Sequence, residues 1–204
     1  MTDFATTADL AARLGITLTG PETTRATTLI SQATDLIRSH AKQTVSKVTG
    51  DVLVTRGVWG NRLILPERPV IQVTQVVAQF FSQSPVTIDP TTYYVDRDEL
   101  VRYDWPLSFT VGNGWLGPGW KLSITYDHGF DQAANPVPYK LGVCKAICLD
   151  SVIRAWVNPG NLAQSEVGGV LESYPPGSGM LLTPEEKYNL DDLFRTANAT
   201  IGLR

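Results

Sequence analysis

The segment from Tyr139 to Val157 constrains this chain more than any other. At helical spacing, Leu141, Val143, Cys144, Ile147, Cys148, Leu149, Val152, Ile153, Ala155 and Trp156 cover almost the whole circumference. Lys140, Lys145, Asp150 and Arg154 leave only a thin polar stripe. Asn135-Pro136-Val137-Pro138 precedes the helix and Asn158-Pro159-Gly160 stops it, because proline lacks the amide that a helix interior needs. A helix apolar on most sides must be covered on most sides. The cover is either the subunit's own core or a neighbouring subunit, and the residues alone do not choose. A chain of 204 residues can bury a sizeable core, as one domain or as a core with an inserted module.

The N-terminal fifty residues read as helical. Thr6 caps a short helix to Leu14, Asp9 sits in its first turn, and Gly15 supplies a left-handed exit. Gly20-Pro21-Glu22 opens a second helix. Along it Ala26, Leu29, Ile30, Ala33, Leu36, Ile37, Ala41, Thr44, Val45 and Val48 recur at helical spacing up to Gly50.

From Asp51 the texture changes. Val52–Thr55, Leu63–Leu65, Val70–Val77 and Lys121–Tyr126 are short, β-branched and strand-like, and Tyr93–Val95 with Leu100–Tyr103 reads as a hairpin. Prolines and glycines separate these pieces, which predicts an antiparallel module over 51–130. After the apolar helix, 161–180 is rich in Gly, Ser and Pro and reads as an extended arm or loose hairpin. Thr183-Pro184-Glu185-Glu186 then starts a last helix, running to about Ala197. The expected fold class is α+β: a helical core of two N-terminal helices plus the long apolar helix, an inserted antiparallel β module, and a C-terminal arm and helix. The segments are 1–50, 51–130, 131–160 and 161–204, one structural unit overall.

Composition excludes several classes of function. Net charge is −3 with no block of like charges, whereas a nucleic-acid binder clusters Lys and Arg to displace counterions. No apolar run is long enough to cross a bilayer, and Met1-Thr2-Asp3-Phe4 does not begin a signal peptide. The two cysteines make no disulfide framework. These features predict a soluble protein made in a reducing cytoplasm.

No segment carries a catalytic pattern. Gly112-Asn113-Gly114-Trp115-Leu116-Gly117 matches a dinucleotide loop by letter, but Pro118-Gly119 and a strand follow it where a helix is required. Cys144 and Cys148 lie one turn apart, without the further ligands that zinc needs beyond His40 or His128. His128, between Asp127 and Asp131, lacks a nucleophile signature, and Asp96-Arg97-Asp98-Glu99 departs from a calcium loop at Leu100. The expectation is no catalytic residue, no metal and no cofactor. Trp105, Trp115 and Trp120 fall in one Gly/Pro-rich stretch, where they pack under loops or bind a sugar or protein.

The order of segments resembles the head-tail connector (adaptor) proteins of long-tailed phages. The resemblance rests on Ala8–Gly15, the long helix after it, Leu63-Ile64-Leu65-Pro66-Glu67-Arg68-Pro69-Val70, Asp89–Asp96, Leu122–Phe130, and Val137-Pro138 before the apolar helix. It covers about 8–160 well and the remainder weakly. The resemblance implies a structural virion protein of the neck, not an enzyme, made in the host cytoplasm. It implies a ring, commonly dodecameric, beneath the portal protein, in contact with a stopper or tail-completion protein. Genomic DNA passes through the lumen without specific binding, and no membrane is involved. Ring contacts are expected at Leu141, Cys144, Ile147, Cys148, Val152 and Trp156. Contacts of the arm with portal or neighbour are expected at Val167, Val170, Leu171, Tyr174, Leu190 and Phe194. The alternative is a β-rich carbohydrate- or ligand-binding module of a phage particle.

Overall fold

The computed structural model describes residues 2–103, 114–158, 164–167, 170–173 and 180–194. The chain forms two compact units, where the sequence suggests one. Gln43–Ala133 make up one unit, and Met1–Lys42 with the residues from Ala134 make up the other.

The second of these is helical. Helix α1 (Thr7–Leu14) starts at a reciprocal cap in which the Asp9 amide donates to the Thr6 hydroxyl and the Thr6 amide to the Asp9 carboxylate. It ends at Gly15 in the left-handed region. Helix α2 (Gly20–Ala41) opens the same way, the Thr19 amide donating to Glu22 at 2.8 Å. It buries Ala26, Ile30, Ala33 and Ile37 along one face. Helix α3 (Tyr139–Val157) packs on α1 and α2. Helix α4 (Pro184–Phe194) begins at a third reciprocal cap, between Thr183 and Glu186, and packs on α2 and α3.

Helix α2 stops short of the expected Val48. Lys42 takes a left-handed conformation, and Val45 and Val48 belong to the β unit. The cause is pairing distant in sequence: the Phe130 amide donates to the Val45 carbonyl at 2.8 Å, and the Lys47 amide to the Phe130 carbonyl at 2.9 Å. Gly129 makes this crossing possible, since it sits at positive φ and a Cβ there would strike the Ser46 carbonyl.

In the β unit the strands are β1 (Val48–Arg56), β2 (Val58–Trp59), β3 (Arg62–Ile64), β4 (Val70–Phe80), β5 (Val86–Thr87), β6 (Tyr93–Asp96), β7 (Glu99–Arg102), β8 (Gly114–Trp115) and β9 (Trp120–His128). They form an antiparallel four-stranded sheet in the order β1-β9-β4-β5, a three-stranded sheet β3-β7-β6, and the pair β2-β8. Alternation decides which side chains enter the core: Leu122, Ile124 and Tyr126 of β9 point inward with Val76 and Ala78 of β4. Leu63 and Leu100 reach the same cluster from the smaller sheet. After α3, the expected loose hairpin is a two-stranded antiparallel pair, β10 (Gln164–Val167) with β11 (Val170–Ser173).

Candidate assembly surfaces

The residues expected to make a ring lie inside the helical unit. Leu141, Cys144, Ile147, Cys148 and Val152 are all buried on one side of α3. That side meets α2: the Cys148 Sγ lies 3.8 Å from the Ile30 carbonyl and 3.9 Å from the Thr34 hydroxyl. Burial away from water pushes the Cys144 thiol up to about 12 and the Cys148 thiol up to about 11. The five side chains are therefore subunit core and offer no surface to a neighbour. Trp156 is half-buried, with the Arg25 guanidinium 4.5 Å from its ring centre.

The polar stripe of α3 has a role its sequence does not announce. Lys145 binds Asp9 at 2.7 Å, Asp150 binds Arg13 at 2.8 Å, and the Lys140 ammonium donates to the Leu193 carbonyl at 2.6 Å. Arg154 reaches both carboxylate oxygens of Glu186 at 2.9 Å. Each of these groups ties α3 sideways to α1 or to α4. Tyr139 at 77% exposure, Val157 at 61%, Gly142 and Ala146 face water, alongside the Lys145 and Asp150 side chains at 44% each. Helix α3 thus buries an apolar side in its own unit and engages its charged residues with α1 and α4, which leaves a mixed outer side holding Tyr139, Ala146, Asp150 and Val157.

The C-terminal candidates divide three ways. Leu190 is fully buried under α4, which removes it from the expected portal contacts. Phe194 is half-buried, with the Lys140 ammonium 5.4 Å from its ring centre. Val167, Val170 and Leu171 lie in β10 and β11, paired Val167 with Val170 and Glu166 with Leu171, and their side chains are outside the described residues. Tyr174 also lies outside the described residues.

The residues that suggest chemistry are engaged structurally. His128 is buried, its Nε2 3.3 Å from Asp51 and its Nδ1 4.0 Å from Glu67. Asp127 instead accepts the Gly50 amide at 2.7 Å and the Gln72 side chain at 2.6 Å, bonds that hold its carboxyl below the usual range. Asp131 pairs with Lys47. His40 pairs with Asp191 at 3.1 Å. Asp96 and Glu99 clasp Arg62, and Asp98 accepts the Val70 amide. Among the described residues no group of three or more His, Cys, Asp or Glu side chains could hold a metal ion. No helix among them is long and apolar enough to cross a membrane.

Trp115 and Trp120 do not form a common exposed face. Trp115 is fully buried, its indole nitrogen donating to the Leu100 carbonyl at 2.9 Å and the Asn61 carbonyl at 3.1 Å. Trp120 packs against Phe80 at 5.0 Å. Trp105 lies outside the described residues, as do Gly112 and Asn113 of the Gly-rich segment, whose Gly114 and Trp115 form strand β8.

No protein-family model matches the sequence, and no curated protein matches it. Solved structures do share its fold. One is a chain from the neck of an empty gene transfer agent (GTA) particle computed with C6 symmetry. It is 14% identical, with a TM-score of 0.54 over 93% of this chain and 88% of that one. A second, from the virion of the native GTA particle, is 14% identical with a TM-score of 0.53 over the same shares. The fold is that of a phage-like neck protein. The likeness takes in both units, since 93% of the chain is covered.

Proposed function

We propose that this chain is a structural subunit of the neck of a tailed-phage-like particle. It acts as an adaptor that forms a ring beneath the portal, extends the DNA channel and joins the head to a stopper or tail. The observation that carries this reading is the fold shared with GTA particle chains over nearly its whole length. Net charge supports it too. Each phosphate neutralised by a cation adds affinity and therefore drag, and a chain of charge −3 suits a lumen through which DNA slides. The hairpin β10–β11, an isolated two-stranded pair, suits the arm that grips portal or neighbour through backbone hydrogen bonds.

The test is electron microscopy with mass photometry on the purified protein, alone at high concentration and mixed with the portal of its particle. Rings in either condition are expected. Monomers in both would overturn the proposal.

A further inference from the structure

We infer that the outer edge of β1 takes an extended segment of a partner protein as an added strand, one that sets a carboxylate beside Arg56. The contact needs the β unit alone, so it stands or falls apart from the ring reading.

The ladder shows which backbone groups are open. The Gly57 amide donates to the Trp120 carbonyl at 2.8 Å, in register with Thr55 opposite Leu122 and Leu53 opposite Ile124. Backbone groups of successive strand residues point to opposite sides. The odd-numbered residues therefore bond β9, and Val52, Val54 and Arg56 turn their groups outward. Strand β1 ends the sheet order β1-β9-β4-β5, and among the described residues no strand lies beyond it. The Val52 amide is taken by the Asp51 carboxylate at 2.9 Å. The Val54 amide and carbonyl and the Arg56 amide have no partner among the described residues.

Solitary edges are normally blunted, by shortness, charge, proline or a bulge. The other edges of the β unit are: β5 has two residues, and β3 and β6 have three and four, with Arg62 of β3 bound to Asp96 of β6. Strand β1 has a bulge only between Val48 and Asp51. From Asp51 to Arg56 its register with β9 is unbroken, no proline interrupts it, and Val52 and Val54 are 51% and 55% exposed. Val52 to Arg56 offers about 14 Å of straight apolar edge.

Charge names the occupant. Arg56 lies directly opposite Lys121, and both are exposed. Like charges facing each other across a ladder repel. The carboxylates of this sheet, Asp51 and Asp127, sit toward its other end, where they accept the Val52 and Gly50 amides. A strand of β-branched residues carrying one carboxylate would gain the edge hydrogen bonds, cover the valines and relieve the repulsion. The β1 of a second copy would bring another Arg56 instead. Nucleic acid would meet the two cations but leave the valines and the edge carbonyls unmatched.

The probe is a terminally blocked hexapeptide of alternating threonine and valine with one glutamate, titrated into the isotope-labelled full chain and followed by amide NMR. The same peptide with lysine in place of glutamate runs beside it. On saturation, hydrogen exchange at the Val54 and Arg56 amides should slow, while Leu53 and Thr55, already bonded to β9, stay as they were. The glutamate peptide should bind about fivefold tighter than the lysine one, and Arg56→Gln should cut that preference. Val54→Pro removes an amide that faces outward, a place where an edge strand tolerates proline, and should abolish binding with the rest of the amide spectrum unchanged. No slowing at Val54 and Arg56 with millimolar peptide would overturn the added strand. Equal affinity of the two peptides would overturn the acidic partner. Slowing that grows with the concentration of the chain alone would make a second copy the occupant. Larger shifts at Arg56 and Lys121 from a thymidine oligonucleotide than from the peptide would make it nucleic acid. Either result overturns the proposal.

Discussion

Replacing Leu190 with alanine asks whether α4 is part of the free subunit or a segment held for a partner. Leu190 is fully buried among helices of its own unit. Truncation removes roughly three methylene equivalents at about 0.8 kcal/mol each, and the cavity left behind adds to that, giving about 3 kcal/mol. Alanine's better helix propensity returns only a few tenths. The four α-helices of the described residues lie in the helical unit, so ellipticity at about 222 nm reports chiefly on this unit's unfolding. With a urea dependence near 2 kcal/mol per molar, the midpoint should fall by about 1.5 M while the slope stays constant. A fall below about 0.3 M would mean that α4 is not docked in the free subunit, and the description of its core would be wrong.

Two further outcomes follow from the ionisable groups. Asp127, held below its ordinary value first by the Gly50 amide and then by Gln72, contributes stability present above the unfolded carboxyl value of about 3.8 and lost as pH falls through the lower folded value. Asp127→Asn should therefore lie below wild type in stability near neutrality and converge on it in acid, read by urea midpoints at several pH values; a constant gap would refute the assignment. Cys144 and Cys148, pushed up to about 12 and about 11 by burial, should resist a water-soluble disulfide reagent at about pH 8 until the chain is unfolded. Rapid native labelling of either would show that α3 is not packed as described.

The helix starts were legible in the sequence because their causes are local. Thr6 with Asp9, Thr19 with Glu22 and Thr183 with Glu186 each satisfy amides within one turn. The end of α2 was not, because Val45 and Val48 keep helical spacing while their partners lie at Phe130 and His128. The exposed side of α3 was hidden for a related reason. Spacing identifies α3 as apolar on nearly every side, but which side is covered depends on Lys145 meeting Asp9 and Arg154 meeting Glu186, contacts that no window of sequence contains. Nearness in sequence leaves Trp115 and Trp120 open either to packing under loops or to binding a partner, and strand alternation with the indole's need for acceptors sends Trp115 inward.

The two ends of the β unit meet. Ser46 and Phe130 are bridged, and Lys47 lies 3.2 Å from Asp131. An excursion that begins and ends at nearly one point asks of its host no more than a tight turn would. Its length enters the cost of closure only logarithmically. The strands between Gln43 and Ala133 are thus exchangeable cargo: a shorter loop or a different small domain grafted at the same two positions would leave the host helices with the same gap to span.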